Sequence, residues 1–66
     1  MLWMDFAAAL RAARLDRKLT MRDAAEQTGI FLPIYKMIEA GKIAPDRDKM
    51  RVLCAFFGVD IQDSVE

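Results

Sequence analysis

Residues 19–41 read L-T-M-R-D-A-A-E-Q-T-G-I-F-L-P-I-Y-K-M-I-E-A-G. The stretch opens with a helix-start signal: the Thr20 side chain can accept from a backbone N–H of the next turn, and Asp23, three residues on, can reach back to Thr20. That spacing predicts a short helix ending near Thr28. Its inward residues, Ala24 and Ala25, are small enough to let another helix axis approach closely, where a leucine would hold it off. Gly29 supplies the left-handed conformation that ends a helix and begins a sharp turn. A further helix follows from about Leu32 to Gly41, with Pro33 in its first turn, where a missing N–H costs no intrahelical bond. Lys42, just past Gly41, favours the negative end of that helix's dipole.

Helices flank this pair on both sides. Phe6, Leu10 and Ala13, with Leu2 before them, recur at spacings of three and four, which predicts an amphipathic first helix over about Asp5 to Lys18. Arg11, Arg17 and Lys18 take its other faces. Beyond the loop K-I-A-P, a fourth helix is expected over about Asp46 to Phe57, with Met50, Leu53, Cys54 and Phe57 as its buried stripe and Gly58 as its stop. Val59 to Asp63 leave room for a rudimentary fifth turn. The expected fold is all-α, a compact bundle of four to five helices forming one domain over residues 1–66. A chain of 66 residues buries only about 60% of its unfolded surface, so its stability is marginal.

Composition excludes several functions. The chain has no histidine and a single cysteine, Cys54, so an intramolecular disulfide and a Cys/His zinc cluster are both ruled out, and no cofactor is implied. With Cys54 on a buried stripe and the carboxylates explained by capping or solvation, enzyme activity is not expected. The longest apolar runs, Ile30–Tyr35 counting Pro33 and Val52–Phe57, are six residues, far short of the roughly 20 that span a bilayer. The opening M-L-W-M-D-F lacks a basic n-region, so a cleaved signal is not expected and the cytoplasm is the expected location. Formal charge is zero, yet all ten basic residues lie between Arg11 and Arg51, where six acids oppose them for a local net of +4. The middle of the chain is therefore mildly basic.

Taken together, L-R-x-x-R at Leu10 to Arg14, L-T-x-x-x-A-A at Leu19 to Ala25, G-I at 29–30, I-E-A-G-K at 38–42, Pro45, and L-C-A-F-F-G-V at 53–59 resemble the XRE-like family, the phage repressor and Cro type of helix-turn-helix. The resemblance implies a DNA-binding transcriptional regulator whose third helix enters the major groove. It implies an ion pair between Arg14 and Glu39, joining helix 1 to the end of helix 3, and core roles for Tyr35 and Ile38. It also implies DNA contacts at the start of helix 2 (Thr20, Met21, Arg22), along helix 3 (Phe31, Leu32, Pro33, Lys36, Met37), and at Lys42 and Arg47. The sequence departs from the family at these positions: Met21 stands where a phosphate-binding glutamine is usual, Phe31 where a small polar residue is usual, and Leu32, Pro33 and Met37 at base-reading positions. Only Lys36 keeps a donor for a guanine edge or a phosphate.

Two accounts fit the apolar positions. In one, Leu32, Ile34 and Met37 touch thymine methyl groups while Arg22, Lys36, Lys42, Arg47 and the first N–H groups of helix 2 hold phosphates, giving modest, salt-sensitive binding to double-stranded DNA. In the other, the same helix 3 surface binds a protein, as in an anti-repressor, inhibitor or antitoxin-like relative. The apolar N-terminus adds a candidate surface for a homodimer or partner, formed by Leu2, Trp3, Phe56 and Ile61. A dimer would suit half-sites about 34 Å apart. Neither a membrane nor a small-molecule ligand is implied.

Overall fold

The computed structural model describes residues 3–59, with side chains from Asp5 onward, and among these residues helices are the only regular elements. Four helices follow one another: α1 (Trp3–Asp16), α2 (Met21–Thr28), α3 (Leu32–Glu39) and α4 (Arg47–Phe57). The fifth turn expected over Val59 to Asp63 lies, from Asp60 on, outside the described residues.

Local chemistry explains the boundaries. At α2 both halves of the capping box form: Asp23 N–H donates to Thr20 Oγ1 at 3.0 Å, and Thr20 N–H donates to the Asp23 carboxylate at 3.3 Å. At α4 only one half of that arrangement is present: the Asp46 side chain accepts from Lys49 N–H at 2.8 Å. That bond, with the Lys49 ammonium at 3.1 Å, holds the Asp46 carboxyl below its ordinary value. Helix α1 stops at Asp16, short of the expected Lys18. Lys18 is left-handed (φ 59°), with its N–H on Leu15 O at 2.9 Å and Leu19 N–H on Arg14 O at 3.2 Å. These are the paired bonds of a Schellman ending with lysine where glycine is usual.

The core gathers residues from every helix and from the α2–α3 turn: Phe6 and Leu10 of α1, Ala24 and Ala25 of α2, Ile30, Tyr35 and Ile38 around α3, and Leu53 and Phe57 of α4. Burying each of the larger side chains contributes about 1.5–3 kcal/mol before entropy is counted. Of the stripe expected on α4, Leu53 and Phe57 are buried, while Met50 and Cys54 are half-buried against the core. Helix α3 packs on both α1 and α2, and α4 closes the other side of the same pair. One tie was invisible in the sequence pattern. The Arg17 guanidinium lies 5.5 Å and 5.4 Å from the ring centres of Phe56 and Phe57 and donates to the Phe56 carbonyl, fastening the end of α1 to the end of α4.

Candidate nucleic-acid interface

The geometry of the site starts at the turn between α2 and α3. Gly29 is left-handed (φ 75°), and Ile30 N–H reaches back to Ala25 O at 3.0 Å. A Cβ at Gly29 would meet nothing within 4 Å, so backbone conformation alone, not space, calls for glycine here. Ala24 and Ala25, at 0% and 3% exposure, let α3 lie close against α2. Phe31 provides no side-chain cap for α3, and Pro33 in the first turn fits the missing donors there.

On its inner side α3 is held by a buried polar clasp. Arg14 Nε donates to both carboxylate oxygens of Glu39 (3.1 and 2.9 Å), Nη2 donates to Oε1 at 2.8 Å, and Nη1 donates to Leu19 O at 2.8 Å. One guanidinium thus ties α1 to the end of α3 and to the loop before α2. The hydrogen bond to Glu39 raises the Arg14 pKa above its ordinary value. Tyr35 Oη lies close enough for the Glu39 carboxylate to raise its pKa and Arg14 to lower it, yet it makes a well-formed hydrogen bond to neither. Burial is the larger cause, and the phenol is held well above its ordinary value.

The outer side is different in kind. Pro33, Lys36, Met37 and Ala40 are exposed at spacings of three and four, one stripe along the helix, and Phe31 stands at its N-terminal end with 71% of its surface open. Leu32 and Ile34 are only half-exposed and pack against the core, as does Met21 at the start of α2. Part of each of these two α3 side chains is therefore spent on the core and part remains open to the outer side. Thr20, Arg22, Lys42 and Arg47 are exposed, and among the described residues no carboxylate engages Arg22, Lys36, Lys42 or Arg47. Arg14, Arg17 and Lys49, by contrast, are committed to internal partners.

Beside the stripe, Phe31 and Ile34 face Val52 and the start of α4 across an open groove of about 410 Å³, rimmed by Asp48 and Lys49. Val52 lies off the stripe expected on α4, and its exposure agrees with that phase. Of the candidate dimer surface, Phe56 is half-buried under Arg17, while Leu2, Ile61 and the Trp3 side chain fall outside the described residues. No described helix is long and apolar enough to cross a membrane, and no described group of His, Cys, Asp and Glu could hold a metal ion.

A short capped helix, a glycine turn and a third helix pinned by its buried end define a helix-turn-helix domain. A family model of that description matches residues 7–65, and the chain belongs to this family, in its XRE/Cro-like form. No curated protein and no solved structure gives a significant match. The family is one of DNA-binding regulators, typically without enzyme activity.

Proposed function

We propose that the protein is a small transcriptional regulator of the phage- or plasmid-like kind, which lays α3 in the major groove of double-stranded DNA and works in the cytoplasm. One observation carries this reading. Glu39, the only acid of α3, is turned inward and paired with Arg14, so the outward face carries Lys36 with no opposing carboxylate. Arg22 at the start of α2, Lys42 after α3 and Arg47 at the start of α4 add exposed cations suited to phosphates, as are the first N–H groups of α2 at Met21 and Arg22. Thr20 caps that helix end and keeps those groups in place. Two copies, meeting through Leu2, Trp3, Phe56 and Ile61, would fit paired half-sites.

A second reading has its own observation: Phe31, largely exposed beside the groove formed with Ile34 and Val52, suits an apolar protein partner. Mobility-shift titrations separate the two. Three phosphate contacts, at Arg22, Lys42 and Arg47, give a log-log salt slope of about −3, and the Lys36→Ala, Lys42→Ala double change weakens binding and reduces the slope by about 1. Absence of any DNA complex even at low salt overturns the regulator reading, and Phe31→Glu then becomes the variant to test in protein capture.

A further inference from the structure

We infer that α3 reads the C5-methyl groups of pyrimidines, so that the protein binds thymine better than uracil and 5-methylcytosine better than cytosine at the positions it contacts. This rests on the DNA-binding reading above and specifies its ligand. The presented face consists of Phe31, Pro33, Lys36, Met37 and Ala40, and Lys36 alone among them carries a strong hydrogen-bonding side chain. The carboxylate that could have accepted from an adenine or cytosine amino group, Glu39, is buried with Arg14. A face without acceptors gains nothing from those amino groups. What the major groove does offer it is the single apolar feature of the base edges, the methyl group on C5 of thymine.

Cytosine lacks that group, and methylation at C5 puts it in the equivalent place without changing the base pairing. Lys36 adds the complementary half of the argument. A lone donor suits the O6 and N7 acceptors of a guanine, the base that pairs with a methylated cytosine. Lys36, Lys42, Arg22 and Arg47 are exposed and engaged by no carboxylate among the described residues, and they supply the phosphate attraction that any such duplex shares; Asp48 rims the groove beside Phe31. A thioether such as Met37 also adapts its shape to an irregular apolar contact.

The test compares four short duplexes by fluorescence anisotropy at low salt: an A·T-rich duplex, the same duplex with uracil for every thymine, a G·C-rich duplex, and its 5-methylcytosine counterpart. Each pair differs only in methyl groups. Burying one methyl is worth about fourfold in affinity, from ~0.8 kcal/mol at tenfold per 1.4 kcal/mol, so two contacts give about fifteenfold. The Phe31→Ala, Met37→Ala variant, which truncates two exposed side chains of that face, is expected to lose affinity for the methyl-bearing duplex of each pair, so that both methyl ratios fall to near one. Equal affinities within each pair for the wild type overturn the inference and leave DNA binding standing. Ratios that persist in the variant assign the preference to duplex shape and also overturn it. Failure to bind any duplex overturns this inference and the DNA-binding reading together.

Discussion

The two faces of α3 solve opposite problems with the same eight residues. Inward, Glu39 is bound three times by one guanidinium, and Tyr35 and Ile38 fill the core at 0% and 1% exposure. Outward, Pro33, Lys36 and Met37 are exposed, and Phe31 just before the helix is the most exposed large apolar residue described. A polar group has been taken inside and apolar groups left outside, the reverse of the usual partition. The inversion is intelligible if the clasp sets the angle of α3 and the outer face is kept for a partner. A buried ion pair is weak evidence for stability but good evidence for a fixed arrangement, since its desolvation cost offsets most of its attraction.

The sharpest way to break this comparison is to remove one side of the clasp. Glu39→Ala strands the Arg14 guanidinium and should cost about 3–5 kcal/mol, read as a large fall in the urea midpoint. Replacing both together, Arg14→Met with Glu39→Leu, should recover most of that loss while loosening α3. A double-mutant cycle near zero coupling would refute the clasp.

Next in size comes Tyr35→Phe, which removes a buried hydroxyl lacking a well-formed hydrogen bond and should stabilise by up to about 1–3 kcal/mol. It carries a pH signature. The folded phenol titrates above its ordinary value of 10.0, so between those two values the native state holds the proton that the unfolded chain has lost. Stability therefore falls as pH rises above about 10. In the phenylalanine variant this part of the alkaline loss should disappear in denaturation curves taken at successive pH values.

Lys18→Gly relieves a left-handed lysine and should raise stability by about 1 kcal/mol in thermal melts, with no change in DNA binding. Smallest of all, Met37→Gln on the outer face should shift stability by no more than about 0.5 kcal/mol. A large loss there would mean that the presented face is part of the core after all.

Much of this was legible in the chain. The capping box at Thr20 and Asp23, the turn at Gly29 and the stops at Gly41 and Gly58 are local, and local chemistry is written in short spacings. The Arg14–Glu39 pair came from the family pattern, since nothing in a spacing of 25 residues announces a contact. Three features stayed hidden for physical reasons. Lys18 adopts a conformation that its residue type does not advertise. The Arg17–Phe56 tie exists only once α1 and α4 have packed. In α3 nearly every position is apolar, so periodicity could not separate the half-buried Leu32 and Ile34 from the exposed Phe31 and Met37.

The central claim, that the outer face of α3 meets DNA, is tested most directly by an NMR titration of isotope-labelled protein with duplex DNA at low salt. The account predicts amide shifts at Thr20 to Arg22, at Phe31 and from Lys36 to Met37, with further shifts near Lys42 and Arg47 and none around Arg17 and Phe56. A spectrum that does not change, or that changes only around Arg17 and Phe56, would contradict it.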